Sequence, residues 1–324
     1  MLPPNDEVRE HPLASSVVPR PRTPWRSRLR RDRVLLAMTL PGLLVLVTFH
    51  YLPLLGNIIA FEDYQPFIGI VDSQWVGLEK FTILVNGDPA FLDAVKNTLV
   101  LTLVQVIFVF PAPIALALMI NSLLSERLRR IVQNVLYLPH FLSWVVVVAI
   151  FQQLLGGSGL LNTFLRTHGA KTLDIVGNPD LFVSLLTSQV VWKDSGWATI
   201  LFLAALSQVD QSLYEASAID GASRAQQLVN VTLPALRGVI VLLLILRLGD
   251  SLNVGFEQII LQQKAVGSQA SEVIDTYVFN YGILGSDWGT SAAVGLVKGV
   301  IATVLVVGAN KLAHVFGEDG VYRA

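Results

Sequence analysis

Six runs of about twenty or more apolar residues, each the length needed to cross a hydrocarbon core, constrain this chain more than any other feature. They fall near Val34–Ile59, Val95–Ile120, Ile131–Leu155, Leu181–Leu206, Val239–Leu261 and Thr290–Val315. Lipid offers no water to an open backbone, so such runs must be helices unless a barrel closes. A barrel would need short alternating strands, and these runs are continuous. Composition agrees: of 324 residues 53% are hydrophobic and 15% charged, with a mean hydropathy of +0.59. A soluble domain carries roughly 25% charged residues. The expectation is an all-α polytopic membrane protein of six transmembrane helices over residues 34–324. An Arg- and Pro-rich tail, 1–33, precedes it. The first apolar run is too long for the roughly 7–15-residue core of a cleavable signal peptide, so the tail is expected to stay attached.

Lys and Arg flank the runs unequally, and the richer side of a membrane protein faces the cytoplasm. The tail holds Arg9, Arg20, Arg22, Arg26, Arg28, Arg30, Arg31 and Arg33. With the N-terminus inside, Arg127, Arg129, Arg130, Arg224, Arg237, Lys311 and Arg323 join it. The outer segments hold Lys80, Arg166, Lys171 and Lys264, with Lys96 at the second run's outer edge. Both termini are therefore expected in the cytoplasm. Pro111, Pro113 and Pro139 sit within runs, where each removes an N–H donor and favours a kink.

Between the fourth and fifth runs lies a polar insert, about residues 210–234. It reads Glu215-Ala216-Ser217-Ala218-Ile219-Asp220-Gly221 and reaches Leu233-Pro234 twelve residues later. Asp210 or Ser212 can cap a first short helix. Gly221 can end it with a positive φ. Ser223 can cap a second helix carrying Leu228 and Val231, which Pro234 marks off from the fifth run. Small residues at 216–218 and 221–222 allow a partner's backbone to approach closely.

The order Glu-Ala-small, Asp-Gly-Ala, Leu-Pro resembles the coupling segment, or EAA loop, of binding-protein-dependent ABC importer permeases. Ser217 replaces the usual second Ala, and Val231 stands where Ile is common. Trp192-Lys193, Leu203-Ala204-Ala205-Leu206 and Tyr214-Glu215-Ala216 look like the carbohydrate branch of that family. Phe61-Glu62-Asp63-Tyr64, Phe110-Pro111-Ala112-Pro113 and Tyr137-Leu138-Pro139-His140-Phe141 resemble its polysaccharide and complex-oligosaccharide permeases. So do Asn253-Val254-Gly255-Phe256-Glu257-Gln258 and Val273-Ile274-Asp275-Thr276-Tyr277. The resemblance covers about residues 34–320 and extends to permeases for alginate.

It implies a type I importer permease fold in a bacterial inner membrane. Glu215, Ala216, Ser217, Asp220, Gly221, Leu233 and Pro234 would form a coupling helix and its surround, seated in a cleft of a cytoplasmic ATPase. The implied partners are two ATP-binding subunits, a second homologous permease chain, an extracytoplasmic sugar-binding protein and an oligosaccharide, with alginate or other uronate-containing glycans as candidates. ATP and Mg would belong to the ATPase subunits. The chain lacks a Gly-x-x-x-x-Gly-Lys-Ser/Thr phosphate loop, so it is expected to bind no cofactor and to break no bond itself.

Charged residues in a bilayer usually face the bundle interior or a cavity. Spaced at 100° per residue on one helix, Arg247, Asp250, Asn253 and Glu257 would form a single polar stripe, a candidate wall for a sugar path. The alternative is an internal stitch, for example Arg247 with Asp250 one turn away. Lys193 and Asp194 in the fourth run and Lys298 in the sixth add charge, and Arg247, Lys193 or Lys298 could each meet a uronate carboxylate. Trp144, Trp192, Trp197 and Trp288 can stack on sugar faces or anchor at the interface. Ser291, Gly295, Gly299 and Ala302 share a face that suits close helix packing. The five His show no metal-ligand spacing, Cys is absent, and nothing reads as nucleic-acid binding. The competing function is an ion-coupled secondary carrier using Asp250 and Glu257, which would leave the insert unexplained.

Overall fold

Residues 32–318 and 320–322 are described in a computed structural model of the chain. The expected tail, up to residue 31, lies outside the described residues. The chain divides into two compact units, residues up to Gly56 and residues from Asn57 onward. In the first, α1 (Arg33–Leu46) passes Pro41 and widens into a π-helical turn at Val47–Tyr51, and a 3-10 stretch, Leu52–Phe61, carries the chain past the boundary at Gly56.

The second unit opens on a short antiparallel hairpin, β1 (Glu62–Asp63) and β2 (Gln74–Trp75), with Glu62 opposite Trp75. Then come α2 (Ile83–Asn86), α3 (Pro89–Val104) and α4 (Pro111–Asn121). They are followed by α5 (Glu126–Tyr137), α6 (Trp144–Leu155), α7 (Leu160–Thr167) and the 28-residue α8 (Pro179–Leu206). The insert supplies α9 (Gln211–Ile219) and α10 (Arg224–Gln227), and α11 (Leu233–Gly249) re-enters the bundle. Four short helices, α12 (Phe256–Ile260), α13 (Gln263–Val266), α14 (Ser268–Ser271) and α15 (Ile274–Tyr277), precede the last long helix, α16 (Trp288–Val315).

Each of the six expected runs is largely helical. Five stretches are long and apolar enough to cross a membrane by length and composition: Arg33–Phe61, Pro89–Asn121, Trp144–Thr167, Arg224–Gly249 and Trp288–Val315. The remaining run, Leu181–Leu206, lies in α8, which is long enough but more polar. Gln189, Lys193, Ser195 and Thr199 are buried on it. Polar groups of this kind join helices where the hydrophobic effect cannot.

Prolines shape the bundle through the turn ahead of them. A proline cannot donate to the carbonyl four residues back, and its ring crowds that carbonyl. A π-helical turn accommodates both problems. Such turns stand at Val47–Tyr51 before Pro53, at Gln105–Val109 before Pro111, and at Leu228–Thr232 before Pro234. The last one overturns an expectation. Pro234 does not separate the insert from the fifth run, because Leu233 N–H bonds to Leu228 O and Arg224–Gly249 is one helical stretch.

Two expected spans are broken. The third gives way at Pro139 to a 3-10 turn (Leu138–Phe141). Leu142 is then extended, and Ser143 caps α6 from outside by accepting from Val146 N. The fifth ends at Gly249, and residues 250–255 are not helical.

Three buried clusters hold the unit. Leu101, Phe182, Leu186, Val254, Ile259, Val266 and Val273 gather α3, α8 and the segment after α11. Phe91, Ala94, Ile274, Tyr277 and Val294 pack the starts of α3 and α16 against α15. At the end carrying the insert, Ala117, Phe202, Leu206 and Leu236 join α4, α8 and α11. The α5–α8 contact is closest at Gly196, where an added Cβ would lie inside the Leu136 carbonyl. The small-residue face of α16 packs as expected at Ser291, which lies against Gly282 and donates to Val278 O at 3.1 Å, but Gly295 and Gly299 have nothing within 4 Å of a built Cβ.

Candidate functional site

The insert is a capped projection. Asp210, not Ser212, caps α9, its side chain accepting from Ser212 N at 2.9 Å. Those hydrogen bonds hold the Asp210 carboxyl below its ordinary range. Gly221 ends the helix at φ +78, with Gly221 N–H on Ala218 O at 3.1 Å and Ala222 N–H on Ser217 O at 2.9 Å. That pair of bonds is a Schellman motif, which needs a left-handed residue at this place. Ser223 and Gln226 form a reciprocal capping box on α10. Tyr214 OH with Thr232 Oγ1 at 3.0 Å, and Gln227 Nε2 on Ser217 Oγ at 3.1 Å, fold α9 back onto α10 and the following turn. Glu215, Ala216, Asp220 and Gly221 point away from that contact and are exposed, as is Pro234, while Ser217 and Leu233 are half-buried.

The break after α11 rearranges the expected polar stripe. Arg247, Asp250, Asn253 and Glu257 do not share one helix, because the chain leaves helical geometry at Asp250 and resumes only at α12, after Gly255 at φ +107. The alternative stitch, Arg247 with Asp250, is not among the ion pairs of the described residues. Instead Asn253 Nδ2 donates to Asp250 Oδ1 at 2.5 Å, Lys298 Nζ donates to Asn253 Oδ1 at 2.5 Å, and Lys298 also pairs with Asp275. Glu257 is exposed and outside this network.

Side chains from α3 and its π-turn bind the broken backbone. Thr102 Oγ1 donates to Ser251 O at 2.7 Å, and Gln105 Nε2 donates to Val254 O at 3.1 Å. On the far side three buried glutamines tie the segment to α8. Gln258 Nε2 and Gln262 Nε2 donate to Gln189 Oε1 at 2.6 and 3.0 Å, and Gln189 Nε2 returns a bond to Gln262 Oε1 at 3.1 Å. Irregular backbone at membrane depth is tolerated where protein groups satisfy it in this way.

A cavity of about 310 Å³ opens between α4, α8 and α11. Val109, Pro113, Asp194, Ser195, Leu243, Arg247 and Asp250 are among its walls. Arg247 Nη2 donates to Gln105 Oε1 at 2.5 Å. Beside it lies a cluster that sequence spacing does not reveal. His140 Nδ1 meets Asp194 Oδ1 at 3.0 Å, and its ring stacks on Trp197 at 4.8 Å and 4°. Lys193 is buried, donates to His140 O at 2.8 Å, lies 3.6 Å from Asp194 and sits 5.4 Å over the Trp144 ring. His140 and Asp194 are 54 positions apart, and only the packing of the 3-10 turn after α5 against α8 brings them together. Trp192 lies apart, edge-on to Phe151 at 5.9 Å.

A separate ionic clasp ties the hairpin segment to the start of α16. Lys80 pairs with Asp63 at 2.9 Å and Asp287 at 3.4 Å. Burial works against the charge on both Lys80 and Asp287. The hydrogen bond from Lys80 to Asp63 and the nearby carboxylates still raise Lys80, while Thr290 and Lys80 hold Asp287 down.

Comparison with known proteins agrees with this architecture. Residues 93–315 match the family described as binding-protein-dependent transport system inner membrane component. The polygalacturonan/rhamnogalacturonan transport system permease protein YteP of Bacillus subtilis (strain 168) is 42% identical over 91% of this chain and 92% of its own. The arabinooligosaccharides permease AraP of the same organism is 28% identical over 87% of this chain and 89% of its own. Among solved structures, a bacterial ABC transporter importing the acidic polysaccharide alginate superposes with a TM-score of 0.83 at 34% identity, over 91% of this chain and 99% of that one. A second structure of an alginate transporter, in complex with an alginate pentasaccharide-bound periplasmic protein, gives 0.82 at 35% over the same shares. With its six helical runs, broken fifth span and capped insert, the chain belongs to the inner-membrane permease components of binding-protein-dependent transport systems, in the sugar and polysaccharide branch of the ABC importers.

Proposed function

We propose that this chain is one wall of the translocation path of an ATP-driven importer of oligosaccharides, uronate-containing glycans among them. Both termini and the insert face the cytoplasm, a reading supported by the unequal distribution of Lys and Arg. Two ATP-binding subunits hold ATP and Mg, and one of them seats against Glu215, Ala216, Ser217, Asp220 and Gly221, with Leu233 and Pro234 at the root of the lever. A second permease chain completes the path, and an extracytoplasmic binding protein delivers the sugar.

The observation that carries this reading is the insert itself. Its fold is fixed by caps at both ends, yet its Glu215 face is left bare. Polar positions in and beside the central cavity supply hydroxyl partners: Arg247, Asp250 and Asn253 directly, with Lys193 and Lys298 holding their neighbours in place. Glu257 and Trp192 lie outside that group and would meet sugar only at another stage of the path.

The test is uptake into proteoliposomes holding the complete transporter and supplied with binding protein. Oligosaccharide should enter only with ATP on the insert side. Entry at an undiminished rate with an ion gradient and no ATP would establish the secondary-carrier reading instead.

A further inference from the structure

Of the three cations near the central cavity, two are already committed to carboxylates within the chain. Lys193 is spent on Asp194 and the His140 carbonyl, and Lys298 on Asp275 and Asn253. Arg247 is different. It lines the cavity, is half-buried, and forms no ion pair among the described residues. Its described hydrogen-bond partner is the neutral oxygen of Gln105. Gln105 cannot turn over to offer its amide nitrogen, because that nitrogen is held by Val254 O at 3.1 Å in a buried site. The Gln105 oxygen therefore faces Arg247 by construction, and it fixes one edge of a planar guanidinium that carries five donors.

The C-terminal carbonyls of α11 offset part of the charge. A half-buried guanidinium with one neutral acceptor is nonetheless poised for a planar anion, and a carboxylate matches its fork. Neither carboxylate of the cavity forms an ion pair with it among the described residues. Asp194 is held by His140 and Lys193, and Asp250 accepts from Asn253.

We infer that Arg247, oriented by Gln105, is the residue that selects acidic glycans in this path, taking the carboxylate of one uronate unit while it lies in the cavity. This rests on the oligosaccharide-importer reading above and adds to it a selecting residue and a charge preference. Asp250 sits beside it as an acceptor for sugar hydroxyls and cannot serve a second carboxylate. The cavity thus presents one anion-seeking and one hydroxyl-seeking group to neighbouring sugar positions.

The experiment compares two probes on one complete reconstituted transporter: tetragalacturonate and its fully methyl-esterified form, which keeps the glycan and removes the charge. Arg247→Gln should lower uptake of the acid about 10- to 100-fold more than uptake of the ester, the worth of one charge-assisted hydrogen-bonded contact. Gln105→Glu gives a second route that keeps the guanidinium. It trades the Val254 bond for an internal carboxylate on Arg247, and should abolish the preference for the acid while the complex still assembles. Acid uptake by the unmodified transporter tests the importer reading separately. An unchanged acid-to-ester ratio in both variants, or equal loss of both probes, overturns the role given to Arg247 and leaves the importer reading intact.

Discussion

Lys298→Met tests whether the polar network around the broken fifth span is a structural clamp. Lys298 reaches from α16 to Asp275 and Asn253, and the two ends of its ion pair are only 15% and 25% exposed at their side chains. Removing the ammonium leaves the Asp275 carboxylate largely buried and without its cation. Breaking a fully buried pair from one side costs about 3–5 kcal/mol, and the residual exposure of Asp275 reduces this to about 2–4 kcal/mol. Asp275→Asn alone strands the lysine and should cost a similar amount. The double variant Asp275→Asn/Lys298→Met leaves no buried charge, so most of the loss should return. A double-mutant cycle on the purified complex, read by denaturant unfolding and by the yield of assembled transporter, should give a coupling of at least about 3 kcal/mol, since two losses of about 2–4 kcal/mol are replaced by one smaller than either. A coupling below about 0.5 kcal/mol would refute the clamp, because two groups that do not depend on each other have additive effects.

Three further outcomes follow from particular contacts. Gly221→Val places a β-branched residue at φ +78 with open space around the new side chain, so the cost is backbone strain of about 1–2 kcal/mol at the end of α9. The complex should assemble while consuming more ATP per glycan imported, and an unchanged ratio would count against the lever. Gly196→Ala drives a methyl group into the Leu136 carbonyl, backbone that cannot move aside without parting α5 from α8. The overpacking should cost about 1–3 kcal/mol or more and lower assembled yield, whereas normal yield and stability would show the approach to be slack. The clasp at Lys80 should be pH-limited on both sides. Lys80 is raised, so its contribution is lost as pH climbs past roughly 10.4; Asp287 is lowered, so its contribution is lost as pH falls below roughly 3.9. Protection of the 62–82 segment against hydrogen exchange, taken relative to the free-chain rate at each pH, should be greatest between these limits, and Lys80→Met should flatten the profile.

The apolar runs made the all-helical membrane class legible in the sequence, though the third and fifth spans begin and end elsewhere than expected, and cap chemistry made the insert legible. Asp210, Gly221 and Ser223 each do locally what their side chains favour, so no tertiary contact is needed to read them. The breaks were hidden for the opposite reason. Leu252 and Val254 are buried in the broken segment, and hydropathy records burial, not backbone geometry. The break occurs because Thr102 and Gln105, some 149 positions away, accept the work of bonding its carbonyls. The stripe drawn through Arg247, Asp250, Asn253 and Glu257 failed with the helix that was to carry it. The His140–Asp194 contact likewise had no sequence period to announce it. Proline was half legible: a distortion was expected at Pro111, but the wider turn one step before it depends on how the preceding carbonyls are placed.

The bonds from Thr102 and Gln105 also bear on biogenesis. The carbonyls of Ser251 and Val254 are satisfied by an element translated well before them. During synthesis Pro89–Val104 and the turn after it are therefore made before residues 250–255, so the side chains that bond those carbonyls exist ahead of them. A gene rearranged so that the last two spans were made first would present those carbonyls to bare lipid, and membrane integration would stall there.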